Sequence, residues 1–268
     1  MAPNFGRSIS FPLTPAMSFS KPSRHVRSVS LPGTTSSHPL LANLHAHIAA
    51  VRSWIQDTAS LQAGLAAIHA LHAALADLLL LPESHRVTSS ACDRLLDAFL
   101  LLADAHQGFQ ECLMSLRHAA AESRAALRRG GATRLASAAK SQRRAEKVLA
   151  RLAASVSAVS SKCARLNLVG EDAEMAGAIM QAAAASAAAS AAVFSAATSM
   201  SSAASSCKKR SMFIPTFATR KVETAEAAME RLYALERCFD ECDEPCHMVF
   251  RSVVQTRVSL LNIMTPTI

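Results

Sequence analysis

The stretch LQAGLAAIHALHAALADLLLLP, residues 61–82, decides the fold. Leu61, Leu65, Ile68, Leu75 and Leu79 recur at three-to-four-residue steps, the spacing that puts side chains on one face of an α-helix. Toward the amino terminus Leu44, Ile48, Val51 and Ile55 carry the same seam back to Leu40, so helix is expected from Leu40 to a break at Pro82.

The pattern repeats downstream. A second helix is expected after Thr88, with Ser90 and Asp93 resembling a capping box, carrying Leu95, Leu96, Phe99, Leu102, Phe109, Leu113 and Leu116 to a stop at Gly130-Gly131. A third, from about Thr133 to Leu166, is basic on one side and places Leu135, Val148, Leu152 and Val159 on the other. A fourth spans Gly170 to Cys207, and residues 175–207 carry no charge. Ala and Ser fill most of it, which reads as a small-residue helix rather than a membrane crossing. A last helix is expected from Val222 to Ile263, kinked at Pro245. The fold class is therefore all-α: an elongated antiparallel bundle of four to five long helices in a single domain, residues 39–268, behind a disordered basic Ser/Pro-rich leader, residues 1–38. Aromatic residues at 4% of the chain, with Trp54 and Tyr233 each alone of their kind, are too few for a β-sandwich core.

The net charge of +8 is unevenly placed. Residues 1–56 contain no Asp or Glu, and between Arg117 and Arg165 basic residues far outnumber Glu122 and Glu146. Such a balance favours anionic partners, among them an anionic membrane surface. Nucleic acid is disfavoured, because the basic helix lacks interleaved aromatics for base stacking. Seven cysteines in helical contexts, without a secretory signal pattern, point to reduced thiols and a cytoplasmic setting.

The leader repeats itself. Arg7-Ser8-Ile9-Ser10-Phe11-Pro12 returns as Arg27-Ser28-Val29-Ser30-Leu31-Pro32. In each copy the Arg stands three residues before the second Ser and the Pro two residues after it. This is the spacing a basophilic kinase prefers, and once phosphorylated it matches the pattern read by 14-3-3 proteins through arginine clusters. Arg7, Ser10, Pro12, Arg27, Ser30 and Pro32 are thus the candidate phosphorylation and docking residues, and two sites on one tether would engage a dimeric reader with avidity. The same acid-free composition is compatible with a plastid or mitochondrial targeting peptide, which stays open as the alternative.

Other candidate sites are weaker. Cys238, Cys242 and Cys246 recur at four-residue steps with His247 beside the last, loosely resembling metal-ligand spacing, although small buried residues would look the same. Cys207-Lys208-Lys209-Arg210 is a candidate lipid anchor, a thiol against three cations after a charge-free stretch. Seven histidines, His45, His47, His69, His72, His85, His106 and His118, fall on the first two helices, with His72 on the first seam. No nucleophile elbow, phosphate-cradling loop or zinc-protease motif accompanies them, so no catalytic residue and no cofactor is expected.

Three stretches together resemble the plant-specific BYPASS-related family. The leader's His25-Val26-Arg27-Ser28-Val29-Ser30-Leu31-Pro32 with Ser37-His38-Pro39 is similar to that family's opening. Asp77-Leu78-Leu79, Leu81-Pro82, Leu95-Leu96-Asp97 and Ala126-Leu127-Arg128-Arg129 follow in the family's order. Val249-Phe250-Arg251 and Gln255-Thr256-Arg257-Val258-Ser259-Leu260-Leu261-Asn262-Ile263 resemble its closing signature, the most specific of the three. The resemblance implies a role in root and shoot development and carries over no catalytic residues. Helical spacing across that signature puts Phe250, Val253, Val254, Arg257, Leu260 and Leu261 on the packed side and Arg251 outside.

Overall fold

The computed structural model describes residues 38–58, 60–82, 84, 89–164, 173–205 and 225–265, which belong to one compact unit, Ser37–Ile268. The leader residues Arg7, Ser10, Pro12, Arg27, Ser30 and Pro32, and the basic run Cys207 to Arg210, lie outside the described residues. The described chain is helical throughout, without a strand among the described residues, as the apolar periodicity requires. Seven helices are described: α1 (Pro39–Gln56), α2 (Leu61–Leu79), α3 (Ser89–Arg129), α4 (Ala132–Ala164), α5 (Ala173–Ser205), α6 (Ala225–Glu241) and α7 (Asp243–Met264).

Two of the expected helices are each divided, which raises the count. The first stops at Gln56, and Ser60 starts α2 by accepting a hydrogen bond from the Ala63 N–H at 3.3 Å. The Trp54 indole N–H donates to the Ser60 carbonyl at 3.2 Å and folds the ring back over α2. At the other end the break falls at Cys242, three residues before Pro245. Pro245 sits in the first turn of α7, where its missing N–H removes no helical bond, and the first α7 bond runs from the Cys246 N–H to the Cys242 carbonyl at 2.9 Å. The proline therefore starts a helix rather than kinking one. His38 has a similar local task. Its Nδ1 accepts from the Leu40 N–H at 3.2 Å, with Pro39 as the first helical residue of α1.

Register contacts show neighbours running antiparallel. The α3–α4 turn closes at Gly130, whose φ of 69° is the left-handed conformation, and the Gly131 N–H reaches back to the Ala126 carbonyl at 3.0 Å. Gln142 meets Ser201 while Ser160 meets Ala184, so α4 and α5 run in opposite directions. Arg117 pairs with Asp240 and Arg124 with Glu236, setting α6 antiparallel to α3.

At the centre lies α5, which touches α1, α2, α3, α4 and α6. By length and composition α2 and α5 could each cross a membrane, but 72% of the α5 window is buried inside the bundle, and the Ala/Ser tract serves as its core helix. Alanines bring neighbouring backbones close, while Ile179, Met180, Val193 and Phe194 fill what remains. Phe194 stacks on Phe109 at 4.6 Å between centroids.

Two packed faces differ from the periodic expectation. On α4 the inner row is Ala138, Gln142, Ala145, Leu149, Ala153, Val156 and Val159, with Leu152 packed against it; of the residues expected there Val159 and Leu152 hold, while Val148 is exposed. On α7 it is Cys246, Val249, Val253, Thr256 and Leu260; Val254 and Leu261 face solvent, Phe250 and Arg257 are half-buried at the edge, and Arg251 points outward as expected. The difference on α7 is a small rotation about the helix axis that brings Thr256 inside, where its hydroxyl meets His72.

The α1–α2 corner depends on one absent methyl group, because a Cβ on Gly64 would overlap the six-membered ring of Trp54. Gly64→Ala is expected to destabilise the protein by about 1–3 kcal/mol despite the better helix propensity of alanine. Chemical denaturation combined with Trp54 fluorescence checks this, and a stabilised variant would show that the corner yields freely.

Candidate functional site

The most constrained polar residues are in the centre of the bundle. His72 on α2 is 1% exposed and His106 on α3 is fully buried; both point at α5. His72 Nε2 lies 2.8 Å from the Ser186 hydroxyl and its Nδ1 3.0 Å from the Thr256 hydroxyl of α7. His106 Nε2 lies 2.9 Å from the Ser190 hydroxyl. Ser186 and Ser190 are one turn apart, so both hydroxyls share a face of α5.

The proton directions follow from the outer bonds. Thr256 donates its hydroxyl proton to the Ser252 carbonyl at 2.8 Å, so it accepts from His72 Nδ1–H, and His72 Nε2 accepts from Ser186. Ser190 donates to the Ser186 carbonyl at 2.9 Å, so it accepts from His106 Nε2–H. His106 Nδ1 is then a bare lone pair without a hydrogen-bond partner. Burial drives His72 down to about 3, with smaller contributions from His106 and His69, and drives His106 down to about 4. Both imidazoles are neutral at physiological pH. Each also meets an aromatic ring edge-on, His72 against Phe99 at 5.7 Å and His106 against Phe194 at 5.4 Å.

Ser186, His72 and Thr256 have the outline of a nucleophile, a base and an orienting group. Two features deny them that chemistry. The third member is a hydroxyl rather than a carboxylate, and all three residues are at most 1% exposed, leaving a substrate no approach. The network pins α2 and α3 to α5 and, through His72, ties α7 to α2.

The candidate metal residues do not converge. Cys242 and Cys246 are buried, Cys238 is half-buried, and His247 turns outward, with Gln110 Nε2 3.5 Å from its Nδ1 and Asp243 4.0 Å from its Nε2. Among the described residues no three Cys, His, Asp or Glu side chains are grouped to hold a metal ion. Within the row the thiols differ. A hydrogen bond from Cys242 pulls Cys238 down to about 7, and Cys242 is raised by the same bond. Burial pushes Cys246 up to about 12 and Cys112 to about 11.

A second polar junction joins α4 to α5. Gln142 donates to the Ser201 carbonyl and to Glu146 Oε1, each at 2.9 Å, and the Ser201 hydroxyl donates to the same Glu146 oxygen at 2.8 Å. On the α3–α6 seam Arg124 pairs with Glu236 at 3.0 Å and lies 5.1 Å from the Tyr233 ring centroid.

The network belongs to a region with a family signature. The model of the family described as Protein BPS1 matches residues 64–263, a span that includes His72, His106, Ser186, Ser190 and Thr256. The chain belongs to the BPS1 family. Membership supports a plant developmental regulatory protein, in a family of non-catalytic regulators. Comparison with curated proteins and comparison with solved structures each return no match. Within the BPS1 closing signature, Thr256 is the residue held inside the bundle by His72.

Among the described candidates, His72 meets the closing signature at Thr256 and Cys238 meets Cys242; the spacing does not bring Ser186, Ser190 and His106 together. Their signal was a pair of hydroxyls one turn apart in an alanine tract, opposite histidines embedded in apolar seams.

Because both imidazoles titrate below their ordinary value of 6.5 when folded, the unfolded chain takes up protons first. Stability is full above that value and is lost as pH falls toward the folded values. Between about pH 6.5 and pH 4.5 each imidazole is expected to cost roughly 2–3 kcal/mol. Urea unfolding across this range checks it: His106→Gln, which keeps a donor for Ser190, should flatten the slope, and an unchanged slope would exclude His106 as a source. Among the described thiols, iodoacetamide should modify Cys238 first with an inflection near 7, leaving Cys246 and Cys112 unmodified in the folded protein. Peptide mass spectrometry reads this out, and a Cys238 inflection at the ordinary value of 9.0 would remove the effect of Cys242.

Proposed function

We propose that this protein is a non-enzymatic regulator of root and shoot development that works by binding: the helical bundle carries a leader whose phosphorylation recruits a dimeric phosphoserine reader of the 14-3-3 type in the cytoplasm. The observation that carries the reading is the doubled Arg-Ser-x-Ser-x-Pro segment at Arg7–Pro12 and Arg27–Pro32, in a leader without a single carboxylate. Each phosphate adds nearly two negative charges where none exist, so phosphorylation converts a segment that repels an arginine cluster into one that binds it. Fully extended, the chain between Ser10 and Ser30 reaches up to roughly 70 Å, long enough to serve two grooves of one reader. The sealed interior supports the non-enzymatic part, since its serine–histidine pairs have no access to solvent.

Full-length protein phosphorylated at Ser10 and Ser30 should bind a 14-3-3 dimer at least about a hundredfold more tightly than either singly phosphorylated form. Ser10→Ala with Ser30→Ala should abolish binding while leaving the bundle's melting temperature unchanged. Calorimetry on the four phosphorylation states is the measurement, and equal affinity of the unphosphorylated protein would refute the reading.

A further inference from the structure

Five cations of α4 stand together without ion pairs among the described residues, whereas several on α3 and α6 each face a carboxylate. On α3, Arg117 and Arg124 are paired with Asp240 and Glu236, and on α6 Arg237 is paired with Glu241. On α4 the sole carboxylate, Glu146, is turned inward and held by Gln142 and Ser201. Its neighbour α5 carries one charged residue, Glu174, at the far end. Among the described residues no ion pair reaches Lys140, Arg143, Arg144, Lys147 or Arg151, and all five are exposed.

Their spacing makes a surface. At about 100° per residue these five side chains fall within an arc of about 100°, over a length of about 17 Å. The buried row, Ala138, Ala145, Leu149 and Val156, lies on the opposite side of the helix. Beyond the two ends of the row the same face carries exposed small residues, Ala136 on one side and Ala154 and Ala158 on the other. The result is a straight, convex row of long basic side chains with nothing bulky to hold a partner away.

We propose that the outer face of α4, through Lys140, Arg143, Arg144, Lys147 and Arg151, docks the protein on an anionic phospholipid bilayer. A planar sheet of headgroup phosphates and carboxylates meets a convex cationic row along its whole length, and each cation within a Debye length of that sheet adds attraction. A polynucleotide is the poorer match. The arc has no aromatic side chain to stack a base and no amide or hydroxyl side chain among the cations to read one. This site is separate from the leader and operates whether or not a phosphoserine reader is bound.

The test is co-sedimentation of the full chain with vesicles of phosphatidylcholine containing about 30% phosphatidylserine, against vesicles of phosphatidylcholine alone. Binding is expected only to the anionic vesicles, falling with added salt. The variant Lys140→Gln, Arg143→Gln, Arg144→Gln, Lys147→Gln, Arg151→Gln should lose about a hundredfold or more in vesicle affinity, with unchanged thermal unfolding because none of the five is packed. A second variant, Lys208→Gln, Lys209→Gln, Arg210→Gln, should keep most of the binding. The proposal is overturned if the five-residue variant binds as wild type, if the Lys208–Arg210 variant accounts for the loss, or if duplex RNA displaces the protein from the vesicles at equal charge concentration.

Discussion

The bundle depends on the pairing of two α5 hydroxyls with two buried imidazoles. A helix that is mostly alanine packs closely but carries little information about register, because one alanine turn looks like the next to a facing helix. Ser186 and Ser190 remove that degeneracy. A slide by one turn would carry one hydroxyl into the other's place and set the remaining imidazole against Ala182 or Phe194, leaving a buried polar group unpaired at about 1–3 kcal/mol, more than the pair contributes net when formed. The same imidazoles fix their neighbours, since His72 also holds Thr256 and so sets the rotation of α7. One polar chain thereby specifies how α2 and α3 seat on α5 and how α7 seats on α2, while Phe194, Phe109 and Phe99 supply the apolar area around it.

Much of this architecture was legible because apolar periodicity is a local property. The rows through Leu44, Ile48 and Val51, through Leu61 to Leu79, and through Leu95 to Leu116 are buried where the spacing put them. The stop at Gly130-Gly131 was equally readable, since only glycine takes that φ without strain. Boundaries set by a side chain reaching backbone were harder. Ser60 starts α2 in the middle of a continuing leucine seam, and Pro245 is as compatible with a first turn as with a kink. The face of α7 was misjudged because Thr256 counts as polar in any pattern, and its burial is decided by a histidine 184 residues away. No window of sequence contains that pair. The same holds for His106 and Ser190, so the site that orders the bundle was visible only as isolated residues.

Charge is sorted as strictly as polarity. The buried polar residues among those described are neutral: two uncharged imidazoles, five serine hydroxyls, a threonine hydroxyl and the Gln142 amide. Where cations meet the seam between α3 and α6, carboxylates accompany them, and Arg124 adds a contact with the Tyr233 ring. Burial at that seam raises Glu236 even though Arg124 opposes the shift, so its pair with Arg124 is partly desolvated. On α4 the arrangement reverses, because Gln142 and Ser201 occupy the helix's one carboxylate in a structural task.

That occupation ties the interior to the exterior. Glu146 stands three residues after Arg143, and if it extended along the surface it would pair with that arginine and neutralise part of the basic row. Drawn inward by hydrogen bonds from Ser201 and Gln142, it leaves Arg143 without that counter-charge and joins α5 to α4 at the same time. The hydroxyls of α5 therefore act twice: Ser186 and Ser190 order the core through histidines, and Ser201 helps determine the electrostatics of the face outside. A family of regulators without catalysis needs its specificity on such faces, and in this chain the composition of the central helix sets both the packing beneath the surface and the charge upon it.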